Sequence, residues 1–175
     1  MATERVGVIK VGGQDATIVG DDVQVDQLAP DFVAHALDWS LVRGLADTQG
    51  KVRIIASVPS LDTDVCSRET RRFNEEAAKL DKDIVILTIS TDLPYAQKRW
   101  CGANGVDQIM VLSDHMNTEF GEKYGVLIKE RRILRRAVFV VDRNDRIVYA
   151  DYMANLGDEP NYEEVIAAAK KVLES

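Results

Sequence analysis

The chain has 175 residues, 46% of them hydrophobic, enough to bury one substantial core, so a single domain over residues 1–175 is expected. Its formal charge is −7, from 22 basic and 29 acidic residues, and no basic block occurs, which argues against a nucleic-acid binder. With no signal-peptide pattern and no apolar run of about 18 residues, the sequence points to the cytoplasm and not to a membrane.

The opening stretch VGVIKVGGQDATIVG alternates apolar and polar residues on both sides of Gly12-Gly13, the pattern of a β-hairpin. After LAPDF, a short strand is expected around Trp39 to Val42, and VRIIASV (52–58) reads as a buried strand. The period then changes. Cys66, Thr70, Phe73, Ala77 and Leu80 recur at alternating steps of four and three residues, the core-facing stripe of a helix, with Glu69, Arg72, Glu75, Glu76 and Lys79 at other positions. DIVILTIS is another buried strand. TDLPYAQKRWCGAN predicts a helix capped by Thr91 or Asp92 with Pro94 in its first turn. QIMVLS reads as a strand, MNTEFGEKYG as a short helix, RAVFVVDRNDRIVYAD as two strands around a turn, and NYEEVIAAAKKVL as an amphipathic helix. Strands interleaved with helices predict an α/β sandwich with a mixed central sheet.

Two cysteines are too few for a secreted disulfide framework, so their positions carry the message. Cys66 falls in the first turn of its helix, where free N–H groups and the positive end of the helix dipole favour thiolate. The stripe it shares with Phe73 implies a sulfur that is partly solvated, with room for a small substrate. Taken from position alone, Cys66 reads equally well as a buried apolar filler. Cys101 lies near the end of its helix, where the dipole disfavours thiolate and Lys98 and Arg99 offset this in part, so it is expected to be the less acidic thiol.

Pro59, Thr63 and Cys66 form P-x-x-x-T-x-x-C directly after a strand, and this resembles the active-site loop of peroxiredoxins, with PSLDTDVC closest to the thiol peroxidases. The similarity extends to APDF (29–32), RRFN (71–74), STDLPYAQKRWCGANG (90–105) and RAVFVVDRNDRI (136–147), nearly the whole chain. The resemblance implies a thioredoxin-like fold with an added N-terminal hairpin. It implies that Cys66 is the peroxidatic cysteine, which attacks a hydroperoxide, and that Cys101 is the resolving cysteine, which closes an intrachain disulfide with it. Pro59 and Thr63 would be loop partners of the sulfur, the proline shielding it and the Thr63 hydroxyl able to donate toward the thiolate or to accept from a bound hydroperoxide. Arg136 would be the buried cation beside the thiolate, with Arg135 on the opposite face of the strand. Further implications are thioredoxin as electron donor, no flavin, haem or metal, and a homodimer packed near the site. IKERRILRRA, with its excess of arginine, and MANLGDEPNYEEV depart from the family pattern.

Three other readings use the same residues. CSRETRR matches the C-x5-R spacing of a cysteine phosphatase, with Cys66 and Arg72, although Glu69 would then sit inside the anion cradle. Cys66, Cys101, His35 and His115 could be summed into a zinc site, but none has a closely spaced ligand partner. A non-enzymatic redox sensor would use the same disulfide and differ by lacking turnover.

Overall fold

Gly12 and Gly13 reverse the chain as the alternation predicts. In the computed structural model, which describes residues 2–174, strand β1 (Glu4–Val11) pairs antiparallel with β2 (Gln14–Val19). Both glycines have positive φ, 60° and 79°, the conformation of a two-residue type I′ turn. The next strands, β3 (Val33–His35) and β4 (Leu41–Arg43), form a second hairpin. The strand expected around Trp39 to Val42 therefore begins two residues later. Trp39 stands in the turn at φ 70°, and the Asp38 carboxylate accepts the Ser40 N–H and hydroxyl there, which holds the chain out of an extended conformation.

The remaining elements are β5 (Val52–Ser57), α1 (Asp64–Ala77), β6 (Ile84–Ser90), α2 (Pro94–Asn104), β7 (Met110–Ser113), α3 (Glu119–Lys123), β8 (Leu127–Ile128), β9 (Ile133–Leu134), β10 (Ala137–Val141), β11 (Ile147–Tyr152) and α4 (Tyr162–Leu173), in the predicted order apart from β8 and β9. Strands β5, β6 and β7 are parallel and occupy the middle of a seven-stranded sheet of order β11-β10-β5-β6-β7-β3-β4, whose other pairs are antiparallel. This is the mixed central sheet flanked by helices, with an added N-terminal hairpin, that the sequence predicts.

Alternation along β5 divides the core. Val52, Ile54 and Ala56 face Phe73 of α1 and Val165 and Ala169 of α4, whereas Ile55 faces Phe32, Phe120, Tyr124 and Phe139. Arg53, inside the run read as a buried strand, is 0% exposed on β5. Its guanidinium donates to Thr48 Oγ1, Leu45 O and Asp142 O, so the buried charge is fully engaged.

Two departures matter for the site. Strands β8 and β9 flank the charged turn KERR and were not predicted. They add to β2, making a four-stranded antiparallel sheet of order β1-β2-β8-β9. The hairpin is thereby tied to the segment that leads into Arg136. Helix α2 starts at Pro94 with Leu93 in the cap position, not Thr91 or Asp92. The Asp92 carboxylate accepts instead from Ser60 Oγ, Leu61 N and Ser90 Oγ, so it is spent on the loop ahead of Cys66. Among the described residues, no helix is long and apolar enough to cross a membrane.

Candidate active site

Cys66 sits in the first turn of α1, where the chain leaves β5 through the loop 58–63. That loop is tightly specified. Asp92 fixes Ser60 and Leu61, and the Ser60 carbonyl accepts both the Thr63 N–H at 3.1 Å and the Thr63 hydroxyl at 2.9 Å. The Thr63 hydroxyl thus donates to Ser60 and not toward the sulfur, and of the two roles expected for it the one compatible with this geometry is acceptance from a hydroperoxide. The sulfur is also more enclosed than expected, since Cys66 is 0% exposed and not partly solvated. Leu61, Val58 and Trp100 pack around it, because the stripe of α1 faces inward from its first turn.

Arg136 closes the other side. It immediately precedes β10, and Arg136 Nη2 donates to Cys66 Sγ at 3.1 Å while Nη1 donates to Glu69 Oε1 at 3.3 Å. Nε and Nη2 also donate to the Leu156 carbonyl, at 3.1 and 2.8 Å. Arg136 is 1% exposed, so the guanidinium is clamped among a sulfur, a carboxylate and a main-chain oxygen. Arg135 lies on the opposite side of the strand, as alternation requires. It donates to Met153 O and packs on the Tyr152 ring, and burial holds its pKa below the usual arginine value.

Glu69 is the site residue that the sequence did not reveal as one. It is 0% exposed, and among the described residues its Oε2 has no hydrogen-bond partner. Burial raises its carboxyl to about 7, although the Arg136 charge pulls the other way. The signal was available: Cys66, Glu69, Thr70 and Phe73 are spaced i, i+3, i+4, i+7, one helical face.

Cys101 lies in the last turn of α2, 6% exposed, in the same apolar cluster as Cys66, and both cysteines are free thiols. Burial pushes the Cys101 thiol up to about 11. The direction is the one expected, and desolvation is its cause. The Cys101 carbonyl accepts the N–H groups of Gly105, in the left-handed region at φ 63°, and of Val106, which ends the helix.

A cavity of about 320 Å³ opens on the outer side of this cluster. Its lining combines Pro59, Thr63 and Arg136 with the apolar Val65, Ile133 and Leu156 and with Asp64, Arg131 and Gly157. The two stretches that depart from the family pattern, IKERRILRRA and MANLGDEPNYEEV, thus supply walls of one cavity. The sequence-predicted residues Pro59, Thr63 and Arg136 are brought together there, and Cys66 joins them through its contact with Arg136.

The competing constellations do not assemble. Residues 66–72 are helical and offer no loop to cradle an anion, and Arg72 lies over the Tyr162 ring and pairs with Glu76. Among the described residues no three His, Cys, Asp or Glu side chains stand together as a metal site would need.

Comparison with known proteins gives a consistent result. The Redoxin family model matches residues 24–166. The thiol peroxidase of Bacillus subtilis is 53% identical over 163 residues, covering 92% of this chain and 95% of that protein. That of Streptococcus pneumoniae (strain R6) is 49% identical over 158 residues, covering 90% and 96%. Among solved structures, a peroxiredoxin-like protein from Aquifex aeolicus superposes with a TM-score of 0.85 at 36% identity, covering 98% of both chains. A thiol peroxidase from Chromobacterium violaceum, 21% identical, shares the fold with a TM-score of 0.81 over 95% of this chain and 97% of its own.

Proposed function

The chain belongs to the redoxin family as a peroxiredoxin-type oxidoreductase, and from that premise we propose that it reduces hydroperoxides through Cys66 and Cys101 with thioredoxin as reductant. The observation that carries the reading is the 3.1 Å contact between Arg136 Nη2 and Cys66 Sγ, made where neither side chain meets solvent. A guanidinium stays charged there, and it stabilises a thiolate before reaction and the oxygen that leaves during it.

In the first step the Cys66 thiolate attacks the terminal oxygen of the hydroperoxide. The O–O bond breaks, the alkoxide departs with the electron pair and is protonated to the alcohol, and Cys66 becomes a sulfenic acid. Pro59 shields the sulfur, and the Thr63 oxygen, its own proton directed to Ser60, is free to accept from the hydroperoxide O–H. Cys66 has no exposed surface, so the substrate is admitted by a local opening of the first turn of α1 or of the cavity wall. In the second step the Cys101 sulfur attacks the sulfenic sulfur, a disulfide forms and water is released. A dithiol of thioredoxin then reduces that disulfide by exchange and is itself oxidised. Family likeness also supports a homodimer packed near the site and action in the cytoplasm.

The test compares peroxide-dependent NADPH oxidation, with thioredoxin and thioredoxin reductase, in the parent, Cys66→Ser and Cys101→Ser. Cys66→Ser should lose all turnover, whereas Cys101→Ser should consume one equivalent and stall. Full activity in Cys66→Ser would overturn the assignment. A sensor that oxidises once without sustained turnover in the parent would favour a regulatory role for the same disulfide.

A further inference from the structure

We propose that Asp92 is a positioning residue that latches the loop ahead of Cys66 to the base of the helix carrying Cys101, and that release of this latch governs how fast the disulfide closes. The inference rests on the peroxidase reading above and concerns its second step.

The Asp92 carboxylate holds the loop and the helix base at once. Oδ1 accepts from Ser60 Oγ at 2.7 Å and Oδ2 from the Leu61 N–H at 2.8 Å, both on the loop 58–63. Oδ2 also accepts from Ser90 Oγ at 2.7 Å, at the end of β6. Ser90 Oγ in turn accepts from Gln97 Nε2 at 3.0 Å, and Gln97, fully buried, stands one turn before Cys101 on α2. The Asp92 carbonyl is itself pinned by Ser113 Oγ at 2.6 Å, from the end of β7. One residue thus joins the Cys66 loop, two strands of the main sheet and the Cys101 helix.

Hydrogen bonds to a carboxylate are stronger than neutral ones, and Leu61, which one of them holds, packs in the same apolar cluster as both cysteines. Another link between the loop and α2, the Arg99–Asp62 pair, is 3.6 Å long with both side chains exposed, so solvent screens it. The closed loop suits the first reaction, for which Pro59 and Thr63 must stay in place. Disulfide closure requires movement instead, because both cysteines are buried and held in packed helices. While the latch holds, a second hydroperoxide competes for the sulfenic acid. The sulfenic sulfur attacks its terminal oxygen, the O–O bond breaks, an alcohol leaves and Cys66 becomes a sulfinic acid that Cys101 cannot resolve.

The experiment mixes the full chain, pre-reduced and without reductant, with increasing tert-butyl hydroperoxide, and reads the intact mass. The midpoint is the concentration at which sulfinic acid and disulfide form equally. Asp92→Asn keeps the shape but turns an N–H toward donors, and should raise the midpoint roughly tenfold. In a Cys101→Ser background the same substitution should slow the first oxidation of Cys66. Ser60→Ala removes a single bond of the latch and should raise the midpoint roughly threefold, adding little when combined with Asp92→Asn. Val165→Ala, in the separate core cluster under α4, should lower Tm and leave the midpoint unchanged. An unchanged or lowered midpoint in Asp92→Asn, or an equal rise in Val165→Ala, would overturn the latch while leaving the peroxidase reading intact. If Asp92→Asn does not fold, Ser60→Ala decides alone, and an unmoved midpoint there refutes the proposal. If the hydroperoxide leaves Cys66 of the parent reduced, the peroxidase reading fails and this one with it.

Discussion

Cys66 and Glu69 share one counter-ion. Arg136 brings a single positive charge to both, and all three side chains are buried, so a Cys66 thiolate leaves a net negative site unless Glu69 holds a proton. The Glu69 carboxyl, raised from 4.5 to about 7, binds its proton more tightly folded than unfolded. Its contribution to stability is therefore fully present below pH 4.5 and lost as pH rises through about 7. Glu69→Gln lacks this titration. The stability of the parent relative to the variant should fall across that window by on the order of 3 kcal/mol, as measured by urea denaturation at several pH values. Asp114, also raised to about 7 by burial, titrates in both proteins and cancels. A flat or rising difference would refute the assignment. Charge at Glu69 was hard to place from the sequence because carboxylates are seldom fully buried, so the usual expectation sends such a residue outward even when its spacing points inward. Strand alternation showed that only one of Arg135 and Arg136 could be the buried cation, and the family likeness pointed to Arg136. The convergence of Pro59, Thr63 and Arg136 was legible through family likeness, since they come from distant parts of the chain.

At the scale of elements, the two cysteines sit at opposite kinds of helix end. The first turn of α1 has the Ser67 N–H on the Thr63 carbonyl, and α2 ends with two N–H groups on the Cys101 carbonyl. Both thiols are inward-facing, and forming a disulfide requires Cα atoms to come within about 7 Å with suitable geometry. The amides of Ser67, Gly105 and Val106 should lose hydrogen-exchange protection when the parent is treated with one equivalent of hydroperoxide, and keep it in Cys101→Ser. Identical protection in reduced and oxidised parent would rule out local unfolding as the route. Helices α1 and α2 were predictable from their stripes and from Pro94. The start of α2 was not, because the natural capping residue, Asp92, is drawn off to Ser60, Ser90 and Leu61, a tertiary demand invisible in local sequence.

For the whole molecule, the segment that follows β2 and the turn that follows α3 meet backbone to backbone. A Cβ at Gly125 would collide with the Asp21 carbonyl, one at Gly20 with the Glu122 carbonyl, and both glycines have positive φ. Arg5 bridges the same seam, donating to Gly20 O, Asp22 and Gly125 O. Gly125→Ala should therefore lower stability by more than about 2 kcal/mol, combining backbone strain with a main-chain clash, and the loss should appear as a clear drop in Tm. An unchanged Tm would mean that the seam is loose. The seam was missed in the sequence because β8 and β9 are two residues long and show no periodicity until their partner β2 is known. The Leu156 clamp has one further consequence. Arg136 is anchored there by a peptide carbonyl, which nearly any residue supplies, while the side chain at the same position shapes the cavity. Descendants of this sequence are thus free to diversify at position 156, altering which molecules are admitted while inheriting the reactive cation unchanged.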